Sequence, residues 1–177
     1  DDAPDGGQST SINKIMPLGA SRVEGNRPTF ESFRYELWKD LKENNWTFDF
    51  IGTKTDNASY PDFNGNAFDI DHEGRGGWTS GQISNNIDGW LAETGAPDIV
   101  LFSSPGGNDA LQGLSYDQAI INVNDIIDKL QSTNPNVTII IESLAPGNTN
   151  IMTTEMMTYF DQLQEDVHTI ATNQTTT

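Results

Sequence analysis

Apolar runs and amphipathic stretches alternate along this chain, with glycine-, proline- or capping-residue breaks between them. Residues 14–19 read KIMPLG, an apolar run closed by a glycine. That is the form of a buried strand entering a sharp turn. After Pro28, the residues Phe30, Phe33, Leu37, Trp38 and Leu41 fall on one helical face. Residues 47–53 (TFDFIGT) read as a second strand, and 54–76 as a long polar loop. Thr79 with Gln82 is a capping box, and Ile83, Ile87, Trp90 and Leu91 mark the buried stripe behind it. Residues 98–103 (DIVLFS) predict a third strand. Ser115 with Gln118 opens a helix that buries Ile120, Val123, Ile127 and Leu130. The β-branched run within 136–144 (NVTIIIESL) predicts a strand covered on both faces. A last helix over 153–172 turns Met156, Phe160, Leu163, Val167 and Ile170 inward. Strands alternating with helices predict an α/β fold with a parallel sheet. No repeat or linker divides the chain, so the reading is one domain over 13–177 behind a flexible acidic arm over 1–12.

Composition narrows the function classes. A chain of 177 residues is long enough for one core. It has no cysteine, which excludes disulfides and thiolate metal sites. No apolar run reaches membrane-spanning length, so no membrane partner is expected. The formal net charge of −17 repels phosphate backbones and anionic lipid, which argues against nucleic acid as a partner. A neutral substrate meets no such opposition, although a solubility or salt adaptation with no link to substrate is the favoured reading of the charge. An acidic arm beginning at Asp1 fits a processed, exported bacterial protein, secreted or periplasmic.

Three short blocks carry candidate chemistry. Ser21 stands two residues beyond Gly19, at the predicted strand end. Gly77 lies in GRGGWT, just before a predicted helix, and Asn108 in GGND, just after a predicted strand. A hydroxyl, a glycine N–H and a neutral side-chain amide are the parts of a serine hydrolase with an oxyanion hole. Each has a plainer reading: a turn serine, a loop glycine, a turn or helix cap. Asp109 reads as a buttress of its loop. Asp62, Asn64, Asn66 and Glu73 have calcium-loop spacing, but Ala67 stands at the position that needs glycine. The stretch reads as a solvated acidic loop, and no metal is assigned. Trp78 either lines a sugar pocket or packs internally.

In their order, GAS with Ser21, then Gly77 with Trp78 and Thr79, then Gly106, Gly107, Asn108 and Asp109 resemble the blocks of the SGNH, or GDSL, hydrolase superfamily. Within it the chain is most similar to acetyl esterases of carbohydrate esterase family three. The resemblance implies a three-layer α/β/α fold around a flavodoxin-like parallel sheet. It implies Ser21 as nucleophile, with the Ser21 N–H, Gly77 and Asn108 as oxyanion donors. It also implies hydrolysis of acyl esters, acetyl above all, of carbohydrates or small alcohols without a cofactor.

The chain departs from the pattern twice. Ala20 replaces the usual aspartate, and no Asp-x-x-His block is present. His168 in EDVH imitates one, but it sits beside the inward Val167, rotated about 100° off the buried stripe. His72 in DHEGRGGWT matches text in the resembling esterases and reads as a shaper of the Gly77 loop. The reading therefore lacks a general base, a last strand and a last helix. It expects a separate C-terminal fragment or second chain to supply them, with residues 137–141 otherwise forming an apolar unpaired edge. An impaired pseudo-enzyme or a carbohydrate-binding module is the alternative.

Overall fold

The computed structural model describes residues 8–144, 148 and 150–174. Residues 1–7 of the expected arm lie outside them; Gln8 donates from Nε2 to the Ala92 carbonyl at 3.2 Å.

The first apolar run forms β1 (Lys14–Gly19), the centre of a six-stranded sheet. Alternate residues of β1 serve opposite faces, as strand geometry requires. Ile15 joins Tyr35, Trp38 and Phe50 on one face, while Met16 and Leu18 join Ile83, Ile87 and Phe102 on the other. The order is β3 (Lys54–Thr55), β4 (Asp71–Gly74), β1, β5 (Ile99–Ser103), β6 (Thr138–Glu142). β2 (Asp49–Phe50) pairs with the start of β1 and β4 with its end. All pairings are parallel except β3 with β4.

A short α1 (Ser21–Glu24) follows β1. Helix α2 (Arg34–Glu43) covers one face of the sheet. The other is covered by α3 (Ser80–Thr94) and α5 (Tyr116–Thr133), which pack on each other. α4 (Gly107–Leu111) and α6 (Thr154–Gln174) meet through Ala110, Phe160, Leu163 and Val167. The arrangement is the three-layer α/β/α fold that the resemblance implies. Thr79 caps α3 with the full reciprocal pair, and the Ser115 side chain caps α5 by accepting from the Gln118 N–H.

Several expectations need correction. The polar loop over 54–76 contains β3 and β4, and β4 pairs directly with the central strand. Its sequence, DHEG, hides this because the buried residues are His72 and Glu73, held by hydrogen bonds rather than by apolar contact. The strand over 47–53 contracts to two residues. Helix α2 starts only at Arg34; Phe30 is exposed, and the buried face is Arg34, Tyr35 and Trp38. β6 is not covered on both faces. Ile139 and Ile141 pack into the core, but Ile140 is 54% exposed, and among the described residues β6 has β5 as its sole partner.

Candidate active site

β4, β1 and β5 are adjacent and parallel, so their carboxyl ends open onto one edge of the sheet. Ser21 follows β1, Gly77 follows β4 and Asn108 follows β5. This is the edge where open α/β sheets place ligands.

Ser21 is half-buried and is the first residue of α1. Its hydroxyl has no hydrogen-bond partner among the described residues. Its N–H, in the first turn of a helix, has no intrahelical acceptor. Ala20 is the N-cap and offers no side-chain cap, which is the consequence of its standing where the family has aspartate. Other groups hold the turn instead. The buried Arg34 guanidinium donates to the Val23 carbonyl at 2.8 Å and the Glu24 carbonyl at 3.1 Å, closing the C-terminal end of α1. Arg22 reaches Glu142 at the end of β6 at 3.1 Å, and Glu142 also accepts from the Ser103 hydroxyl. α1 lies so close over β4 that a Cβ on Gly74 would stand 2.3 Å from the Glu24 nitrogen. Only glycine permits that seat.

The β4 loop is fastened on both sides. The Arg75 N–H donates to the Gly19 carbonyl at 2.9 Å, and the Gly76 N–H to Glu24 Oε2 at 2.9 Å. Arg75 pairs with the fully buried Glu73, which also accepts from the Thr53 N–H at 2.7 Å. Gly77 has φ of +78° with no atom within 4 Å of where a Cβ would lie. Glycine is therefore required here by backbone conformation rather than by crowding. Gln112 donates to the Gly77 carbonyl at 3.0 Å, and Asn108 Nδ2 to the Trp78 carbonyl at 2.7 Å. That bond spends one of the two amide N–H groups of Asn108 and leaves the other for a ligand. Trp78 also packs on Trp90, with ring centroids 5.7 Å apart.

Asp109 acts as a buttress, as its position in GGND suggested. Its carboxylate accepts from the Ser80 N–H at 2.8 Å and the Ser80 hydroxyl at 2.7 Å. Negative charge at the N-terminal turn of α3 is electrostatically favourable. A crevice of ≈10 Å³ lies between these loops, lined by Ala20, Trp78, Ile83, Phe102, Gly106 and Asn108 among others. Ala20 and Trp78 are the chain neighbours of Ser21 and Gly77. A larger polar cleft of ≈470 Å³ borders α1 through Glu24 and Gly25, but none of the three candidate residues lines it.

Neither histidine hydrogen-bonds to Ser21. His72 is buried on β4, and its Nδ1 accepts from the Gly74 N–H at 3.0 Å. Burial, reinforced by the charges of Arg34 and Lys54, pushes its pKa down to about 3, so it is neutral. It supports the strand end. His168 is exposed on α6 beside the buried Val167. Glu73, the last oxygen of the calcium-like spacing, is occupied by Thr53 and Arg75, and Asn66 donates to backbone carbonyls of its own turn. Among the described residues no three acidic or histidine side chains gather to hold a metal.

Comparison with solved structures settles the lineage. A carbohydrate esterase family 3 protein from Talaromyces cellulolyticus superposes with a TM-score of 0.76 at 28% identity, over 93% of this chain and 75% of that one. A Clostridium thermocellum family 3 carbohydrate esterase gives 0.68 at 30% identity, over 90% and 72%. The chain belongs to the SGNH hydrolase superfamily. AlinE4, an SGNH-hydrolase family esterase, shares the fold with a TM-score of 0.61 at 19% identity, over 93% and 74%. No family model and no curated protein matches the sequence. This SGNH hydrolase thus has its likeness to esterases in fold, with 28% and 30% identity to the two carbohydrate esterases.

Several parts of the site are invisible to sequence reading: the Arg34 clamp, the Glu142 tie to α1 and the Ser80 partner of Asp109. None falls within a motif. The SSPGG run before Asn108, rich in turn formers, is the one local sign of unusual backbone there.

Proposed function

We propose that this SGNH hydrolase is a serine esterase that removes acyl groups, acetyl above all, from carbohydrates or small alcohols. The observation that carries the reading is the adjacency of three parallel strand ends bearing Ser21, the Gly77 loop and Asn108. Ser21 Oγ attacks the acyl carbon. The Ser21 N–H, the Gly77 N–H and the free Asn108 amide N–H receive the oxyanion, where neutral donors stabilise charge without repelling an uncharged substrate. The ≈10 Å³ crevice beside Asn108 has room for about one oxygen-sized group, the size of an acyl carbonyl oxygen. The structural neighbours support the chemistry: one is an acetyl esterase variant with an acetate ion, and others are carbohydrate esterases.

The serine needs a base. His72 is neutral but locked in a strand, and His168 faces solvent, so neither takes the proton. In this proposal the base comes from a C-terminal fragment or a second chain, and the side of β6 away from β5, unpaired among the described residues, is the place for it to pair. The exported setting, secreted or periplasmic, belongs to the same proposal. The test is hydrolysis of p-nitrophenyl acetate by the protein and by Ser21→Ala. With the segment that supplies the base present, loss of turnover by about 10³-fold or more is expected; equal rates there reject the assignment and favour a binding module.

A further inference from the structure

Ser104 carries two anomalies that the esterase reading leaves unused. It is a serine with φ of +49°, in the left-handed region that side chains avoid. Its Oγ is the one buried side-chain polar atom among the described residues without a hydrogen-bond partner. Buried polar atoms are nearly always paired, and an exception calls for a reason.

The backbone around it is pinned from both sides. The Ser104 N–H donates to the Glu142 carbonyl at 3.3 Å, and the Ser104 carbonyl accepts from the Gly107 N–H at 3.2 Å. The preceding Ser103 hydroxyl is spent on the Glu142 carboxylate. The strained conformation is therefore imposed by the β6 end and the GGND turn, and the Ser104 hydroxyl alone is left without a role. Ser104 lines the ≈10 Å³ crevice together with Gly19, Ala20, Trp78 and Asn108. That space holds about one oxygen-sized group. Backbone strain and an unpaired donor at one residue mark a group kept for a ligand rather than for stability.

We propose that Ser104 is a further catalytic residue, its hydroxyl donating to the acyl oxygen of the bound ester alongside Asn108. This rests on the esterase reading above. A donor fixed in advance by the fold need not reorganise as charge develops, which is what makes such contacts effective. The missing acceptor is the substrate oxygen.

The test uses Ser104→Ala and Ser104→Gly in the full chain. Acetate is the probe, with binding followed by calorimetry, beside melting temperature and p-nitrophenyl acetate kinetics. Both variants are expected to melt at or above the temperature of the parent, because an orphan hydroxyl is removed and glycine also relieves the left-handed φ. Acetate affinity is expected to fall about fivefold or more, and kcat/KM about tenfold or more. Melting temperature and binding then move in opposite directions, which a structural role does not produce. Unchanged acetate affinity, no acetate binding by the parent, or a melting temperature that falls with affinity overturns the proposal. Ser21→Ala separates the two readings. If it still hydrolyses the ester, the esterase reading fails, while the acetate comparison continues to decide Ser104.

Discussion

The two sides of β1 reach the same sheet edge with different materials. Toward β4, the interior holds Arg34, Asp69, His72 and Glu73, each buried and each fixed by named hydrogen bonds. Toward β5, the face that meets α3 and α5 is apolar: Val100, Phe102, Val123, Ile126, Ile127 and Leu130. The apolar side tolerates small adjustments, because dispersion contacts are many and non-directional. The polar side is all-or-none, because a buried charge that loses its partner is left uncompensated. The Gly77 loop sits on the polar side and Asn108 on the apolar side, so the candidate site joins a hydrogen-bonded scaffold to a packed one.

The largest expected effect is on the polar side. Arg34→Met removes the guanidinium that holds Asp56 at 2.7 Å and the carbonyls closing α1. A loss of about 3–5 kcal/mol in urea unfolding is expected, with esterase turnover falling as α1 loosens. A loss under about 1 kcal/mol would show that the buried charges are incidental to this half.

A second effect separates the halves by pH. Burial, with the nearby Asp49, raises the Asp69 carboxyl to about 7, while the Phe50 N–H bond pulls the other way. Between about pH 4 and 7 the native carboxyl keeps a proton that the unfolded chain releases, so its contribution falls as pH rises. His72 has the opposite sign. Its native pKa of about 3 lies below the unfolded value, so the stability it contributes is full above about pH 6.5 and is lost as pH falls toward 3. Asp69→Asn, which keeps an acceptor for the Phe50 N–H, is expected to gain on the order of 2–4 kcal/mol at pH 8 and little at pH 4. Chemical denaturation across that range checks it; a pH-independent difference contradicts it. The smallest effect belongs to the apolar half. Ile127→Val is expected to cost about 0.5–1.5 kcal/mol, equally at pH 5 and pH 8.

The same contrast decides what could be read from the sequence. β1, β5, α3, α5 and α6 are legible because apolar residues recur at strand or helix spacing, and Thr79 and Ser115 mark two helix starts. β4 is not legible: Asp71, His72, Glu73 and Gly74 look like a loop, and their burial depends on partners at Thr53, Arg75 and Glu24. The α2 boundary slips because Phe30 and Phe33 extend the apolar period into a turn. β6 is instructive in another way, since its isoleucine run reads as doubly covered while Ile140 lies open. The site residues come from short motifs at strand ends. Their supports do not, because Arg34, Glu142 and Ser80 act through long-range contacts that leave no local pattern.

If Ser21 stands at the meeting of three strand ends as an activated nucleophile, it should react with a fluorophosphonate. The direct test is that reaction, followed by tryptic digestion and mass spectrometry. The expected result is a covalent adduct on the peptide over residues 15–22, located at Ser21 and absent from Ser21→Ala. Labelling of a different serine, with Ser21 unmodified, would contradict the account.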